Sequence, residues 1–278
     1  MKKFLQIKNS AFHTKGDSGI RKILKLIFHS KFFRIIRNTI GFRPPVFMYD
    51  YETEYLASDL FIWRTDKDFQ TVFKSSDILK KYYGFHSLLK IFFYDCNGEF
   101  IKQLTFEYKN YTLEIIINKE LLGISANGTF CAFHYPRDHI QRNVNVTNRC
   151  YVGYGRNNSF SMVHGNIIGL MASAKKNHKE FLSSIKPAVT EKKFKFKYLL
   201  QAKKRNFPFS VLAFSNPLNR SIFIEVNKKR FNIQSRGCAL ISLDHVSEST
   251  VIEVKSDFAR ARPIIMYDDG KVIDCLHA

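Results

Sequence analysis

From Val46 onward, apolar and polar residues alternate in short runs bounded by Gly, Asn, Asp and Pro. This is the period of strands that bury one face. Leu88 to Tyr94 is an apolar run, DCNG at Asp95 to Gly98 is a hairpin turn, and Phe100–Glu107 and Thr112–Ile117 follow as strands. ANG at Ala126 to Gly128 introduces TFCAFH, Thr129 to His134, and the set continues with Cys150 to Tyr154, Phe160 to His164 and Ile167 to Ala172. The pattern resumes near Pro208 as PFSVLAFSN, SIFIEVN, FNIQSRG, CALISLD, TVIEVKS and RPIIMYDDGKVIDCLHA, with turns such as NPLN between them. These runs predict seven strands, enough for a small sandwich.

Two segments depart from this. Residues 175–206 are rich in Lys: their first portion predicts a short helix ending before Pro187. There Phe194, Phe196 and Tyr198 then alternate with Lys193, Lys195 and Lys197, a strand with its aromatic side inward. In IRKILKLIFHSKFFRIIRNTIGFR the period is helical. Ile23, Leu24, Ile27 and Phe28 share one face and Arg21, Lys22, Lys25 and His29 another, but Phe32, Phe33, Ile36 and Ile40 rotate to a different stripe. The spacing predicts two short helices broken near His29 to Lys31 and stopped by Gly41, Pro44 and Pro45.

The expected fold is mainly β. It has two antiparallel β-sandwich-like regions, immunoglobulin-like or jelly-roll-like in outline, and a short basic α-helical N-terminus. The expected boundaries are 1–45 for the basic amphipathic segment, 46–174 for the first sandwich, 175–206 for the Lys-rich connection and 207–278 for the second sandwich. Strand pairs about NP and DG turns, with the late SDFARARP stretch, give an outline that resembles bacterial immunoglobulin-like and sensory-rhodopsin-transducer-type sandwiches. That resemblance implies a fold and carries no functional residues across.

Composition narrows the setting. With 278 residues and 45% apolar content the chain can bury a large core, and its 27 Phe and 13 Tyr favour β structure. Cys96, Cys131, Cys150, Cys238 and Cys275 are odd in number and form no CxxC pair, so reduced thiols and a reducing compartment are expected. Neither a signal peptide nor a transmembrane run is evident, which places the chain in the cytoplasm. The formal charge of +20 is concentrated: residues 1–43 carry eleven Lys/Arg against Asp17, and residues 175–206 carry eleven against Glu180 and Glu191. Two basic patches suit attachment to an anionic membrane surface, with Arg21, Lys22, Lys25, Lys31, Arg34 and Arg37 at the headgroups. The competing reading packs the same apolar stripes on the protein's own core.

Candidate chemistry gathers at strand ends. His134, His164 and His277 each close an apolar run, and loop rims of sandwiches are where ligands bind. With His134, His164 and Asn166, the stretch YGRNNSF offers Tyr154, Arg156 and Asn157, an aromatic ring with amide and guanidinium donors of the kind that hold sugar hydroxyls. Trp63 reads as core, with Arg64 pairing to Asp66 or Asp59. No HxH, HExxH, P-loop, dinucleotide or GxSxG pattern occurs, so no metal and no cofactor is expected and catalysis has no signature.

The expectation is an accessory protein, peripheral at the inner membrane face, that binds a polar or anionic ligand, with carbohydrate the favoured class and cell-surface polysaccharide synthesis a setting. One alternative is a sugar- or nucleotide-sugar-modifying enzyme using the strand-end histidines. Another is a nucleic-acid-binding protein using the 175–206 segment.

Overall fold

A computed structural model describes residues 32, 36, 55–137, 150–156, 159–165, 168–173, 178–188, 195–203, 209–243, 249–258, 260–271 and 273–277. Residues 1–47 form one compact unit and residues 48–278 another. In the first, Phe32 and Ile36 are helical, lie four apart on one face, and are both exposed. The six basic candidates of that segment, Arg21, Lys22, Lys25, Lys31, Arg34 and Arg37, lie outside the described residues.

The second unit is built from four antiparallel sheets and is β-sandwich-like. Its first strands are β1 (Tyr55–Arg64), β2 (Gln70–Ser76), β3 (Ser87–Asp95), β4 (Phe100–Glu107), β5 (Thr112–Ile117) and β6 (Asn127–Pro136). Then come β7 (Tyr151–Arg156), β8 (Ser159–His164), β9 (Ile168–Ser173) and the short β10 (Lys186–Pro187). Among the described residues three short helices punctuate them: α1 (Ile78–Tyr83), α2 (Lys119–Leu122) and α3 (His178–Ser184). Asp77 and Asn118 cap α1 and α2 by accepting from the Lys80 and Leu121 amides, and Gly84 and Gly123 end them at positive φ. The remaining strands are β11 (Phe196–Lys203), β12 (Phe209–Ser215), β13 (Ile222–Val226), β14 (Lys229–Ile233), β15 (Cys238–Ser242), β16 (Ser249–Ser256), β17 (Ile264–Asp268) and β18 (Ile273–His277). The strands expected after residue 207 are thus present, and the Lys-rich segment supplies α3, β10 and β11.

Packing follows from side-chain parity. The six-stranded sheet β10-β9-β1-β6-β3-β4 faces the sheet β5-β2-β7-β8 across a core containing Phe61, Leu89, Ile91, Phe93 and Phe130 from one side and Phe73, Ile115, Val152 and Tyr154 from the other. Phe61, Phe73 and Phe130 meet pairwise with centroids 5.1 to 5.2 Å apart. Trp63 is fully buried, and its indole N–H donates to the carbonyls of Tyr94 and Thr129 at 3.0 and 3.1 Å. Beyond the six-stranded sheet, Phe181 of α3 covers Phe92 and Phe133. Lys90 is fully buried on β3, with Nζ 3.5 Å from the centroid of the Tyr135 ring.

A second core joins β11-β16-β13-β14 to β15-β12-β17-β18 through Leu200, Ile224, Ile252 and Val254 on one side and Leu212, Phe214 and Ile265 on the other. The latter sheet is buried twice, because its opposite face gives Ala213, Ile264, Met266 and Cys275 to the first core. Double burial explains why SVLAF and IIMY are apolar without alternation. No sheet mixes strands from the two sandwiches among the described residues, yet they share one core.

The seam between them is backbone on backbone. The Cys238 amide donates to the Cys96 carbonyl at 3.0 Å, and the Thr129 hydroxyl donates to the Arg236 carbonyl. A Cβ on Gly98 would lie 1.8 Å from the Ser235 carbonyl oxygen, and one on Gly237 would lie 2.4 Å from that of Cys96. Each turn therefore needs glycine to let the other in. Four of the five cysteines are buried and all are free. Burial pushes the Cys131 and Cys275 thiols up to about 12.

Candidate functional site

Strand β7 decides which residues of YVGYGR reach solvent. Val152, Tyr154 and Arg156 point inward, while Tyr151, Gly153 and Gly155 point outward. Tyr154 has no exposed surface, and its hydroxyl donates to the Ile62 carbonyl at 2.9 Å. Arg156 closes the inner face at the strand's end, paired with Asp268 at 3.0 Å. Its guanidinium lies 4.2 Å from the Phe69 centroid, and that of Arg64 lies 3.7 Å from the same centroid. Arg64 in turn grips both carboxylate oxygens of Asp66, at 3.0 and 2.7 Å. Trp63 in the core and the Arg64–Asp66 pair are as the sequence predicts.

His134 is buried on β6. Its ring stacks on Tyr108 at 5.8 Å, with Nδ1 3.3 Å from the Tyr108 hydroxyl, which lies 2.5 Å from that of Ser75. Burial raises the Tyr108 phenol well above its ordinary range. His164 is exposed on the outward side of β8. The β7–β8 register sets Tyr151 opposite His164 and Arg156 opposite Ser159, so Arg156 and His164 are separated by about 17 Å of strand. Asn157 and Asn166 lie outside the described residues. The fold thus separates His134, Arg156 and His164 rather than gathering them on one rim.

What His164 does join is the outer face of β5-β2-β7-β8. Across the four strands one row reads Glu114, Lys74, Tyr151 and His164; the next reads Ile116, Val72, Gly153 and Met162; the third carries Gln70, Gly155 and Phe160. Ile116, Tyr151 and Phe160 are 49%, 54% and 36% exposed, so this face shows water a large apolar surface. Its middle is built on glycines that neighbouring side chains cover. A Cβ on Gly153 would meet the Met162 sulfur at 2.2 Å, and one on Gly155 the Phe160 ring at 2.3 Å, so both side chains lean over the bare backbone. The result is an open apolar surface in which Met162 and Phe160 cover the two glycines, with Tyr151 beside them, Lys74, Glu114 and Gln70 supplying polar groups, and His164 at the rim. Parity could have found Tyr151 and Phe160 in the sequence, because a strand reading Y-V-G-Y-G puts either Tyr151 with both glycines or Tyr154 with Val152 on one side.

His277 completes the rim. Its ring centroid lies 4.7 Å from that of His164, and its Nε2 donates to the His164 carbonyl. Nδ1 is buried and has no partner among the described residues. Burial lowers the His277 pKa, outweighing the carbonyl contact, so the ring favours its neutral form. Nearby the Ser161 hydroxyl accepts from the Cys275 amide at 2.9 Å, which sets β18 beside β8.

Among the described residues no group of three His, Cys, Asp or Glu side chains is placed to hold a metal. No helix among them is long and apolar enough to cross a membrane. No family model matches this sequence, and no curated protein matches it. A solved anti-sigma factor domain-containing protein aligns over 80% of this chain and 80% of its own at 8% identity with a TM-score of 0.23, too low to carry an argument.

Proposed function

We propose that the chain is an accessory, non-catalytic carbohydrate-binding protein that holds its ligand on the outer face of β5-β2-β7-β8. The observation that carries this reading is the exposure of Tyr151 and Phe160 on an open sheet face edged by Lys74, Glu114, Gln70 and His164. Aromatic faces stack on the C–H side of a sugar ring, and flanking amide, ammonium and imidazole groups bond its hydroxyls. A flat sheet face suits an extended polymer better than a small metabolite, which would need deeper enclosure. Synthesis or handling of a cell-surface polysaccharide at the cytoplasmic side of the membrane is the proposed setting. The free cysteines support a reducing compartment, and the exposed Phe32 and Ile36 support an apolar helix face available to a bilayer.

Affinity electrophoresis of the full chain through gels containing neutral or acidic polysaccharides tests the ligand. Retardation by at least one polysaccharide is expected, with Tyr151→Ala and Phe160→Ala each weakening it about tenfold, the loss expected for a stacked aromatic anchor. Retardation unchanged in both variants sinks the reading. Co-sedimentation with phosphatidylserine vesicles tests the anchor, and binding that survives deletion of residues 1–43 rules it out.

A further inference from the structure

The second sandwich has a site of its own. Strand β16 ends at Ser256, which pairs with Ile224 of β13 and with Phe196 of β11. Beyond it β13 continues to Ile222 with no strand on that edge among the described residues, and the gap is a concavity of about 340 Å³ lined by Lys195, Ser221, Phe223, Arg230, Asn232 and Asp257. Asp257 takes over from the missing strand. Its Oδ1 accepts from the Phe223 amide at 3.0 Å and its Oδ2 from Arg220 at 2.8 Å, while its carbonyl accepts from Arg220 at 3.0 Å. Its charge is thereby committed within the wall.

The other polar groups are not committed. Lys195, Ser221, Arg230 and Asn232 are exposed, and their side chains make no hydrogen bond or ion pair among the described residues. Arg230 rests on the Phe223 ring with its guanidinium 4.2 Å from the centroid, a contact that fixes the plane of the fork and leaves its N–H donors open. Asn232 stands opposite Phe223 in the β13–β14 register. A guanidinium, an ammonium, an amide and a hydroxyl therefore converge on a space whose one carboxylate among the described residues is already paired with Arg220.

We propose that this concavity binds the phosphate group of a small phosphorylated sugar. Arg230 supplies paired donors to two phosphate oxygens and Lys195 a point charge, with Asn232 and Ser221 bonding the remaining oxygens or the sugar hydroxyls. The volume lies at the small end of ligand sites, which suits one phosphorylated ring rather than an oligomer. This site is separate from the outer face of β5-β2-β7-β8 and stands or falls without it.

The test is titration of the isotopically labelled full chain with glucose 6-phosphate and with glucose, following backbone amides by NMR. Glucose 6-phosphate is expected to shift the amides of Phe223 and Asn232, and glucose is not. Arg230→Gln is expected to weaken binding about tenfold or more, through loss of the paired charge-assisted hydrogen bonds to phosphate, and Lys195→Gln to weaken it less. Exposed Lys119→Gln, on α2, is expected to leave it unchanged. The proposal is overturned by the absence of shifts at Phe223 and Asn232, by equal shifts with glucose, or by equal weakening in Arg230→Gln and Lys119→Gln. All of these variants are of exposed side chains, so native spectra accompany each measurement.

Discussion

Two four-stranded sheets, β5-β2-β7-β8 and β11-β16-β13-β14, each turn one face to a core and the other to water, and they dress the outward face differently. On the second sheet Lys197, Glu253, Lys255 and Glu225 form a ladder of ion pairs at 2.5 to 3.0 Å running across three strands. Its exposed apolar residues, Leu199 and Val251, stand beside those charges. On the first sheet one ion pair, Lys74–Glu114 at 2.8 Å, borders a field of Tyr, Ile, Met, Phe and Gly. Charged side chains that neutralise one another keep that part of a sheet face soluble. An aromatic field left open at comparable exposure has no such use in stability, and this is the ground on which the first sheet is proposed as the carbohydrate-binding face.

The inward faces should be equivalent, and the largest effects lie there. Tyr154→Ala and Ile224→Ala each remove a fully buried side chain and are expected to cost about 3 to 5 kcal/mol in urea unfolding. A loss confined to one of them would break the parity of the two sandwiches. Next comes the aromatic face. Gly155→Ala places a Cβ 2.2 Å from the Ser159 carbonyl oxygen, a backbone atom, and is expected to cost about 1 to 3 kcal/mol and to abolish polysaccharide retardation with it.

A smaller effect distinguishes the rim. His277 has its pKa lowered in the fold, so between the ordinary value of 6.5 and the folded value the unfolded chain binds more protons. Its contribution to stability is therefore complete above pH 6.5 and is lost as pH falls through that window. His277→Gln should flatten this slope in unfolding midpoints measured from pH 7.5 to 5, and an unchanged slope would remove the histidine from the account. The smallest effect belongs to the ladder: Glu253 is exposed and held below its ordinary pKa by bonds from Lys197 and Lys255. Glu253→Gln is expected to leave the unfolding midpoint unmoved at high salt, with any difference confined to low salt.

Much of the architecture was legible in the sequence because it is local. DCNG does end β3 at Asp95 and admit β4 at Phe100, and the KFKFKY alternation does set Leu200 inward and Lys197 outward on β11. The site was less legible. Histidines at strand ends look alike in sequence, but His134 is buried against Tyr108 while His164 faces water, because adjacent strands assign parity through their partners. Tyr154 and Tyr151 differ in the same way. Lys90, in a run that reads as strand, was unreadable as a buried residue, since only the packing of Tyr135 and Phe181 around it removes its water. The concavity was hidden for a further reason: it exists because β16 stops at Ser256, and a strand's end relative to its neighbours is a tertiary fact.

The interlocked turns at the seam also set an order of events during synthesis. Translation delivers the chain N-terminal end first, so the turn that carries Cys96 and Gly98 leaves the ribosome well before Ser235, Gly237 and Cys238 exist. Until those late residues arrive, the Cys96 carbonyl and the Thr129 hydroxyl have only water to bond, and the first core lacks its covering of Ala213, Ile264 and Met266. The nascent first sandwich thus waits with an apolar flank uncovered, the condition in which chaperones bind.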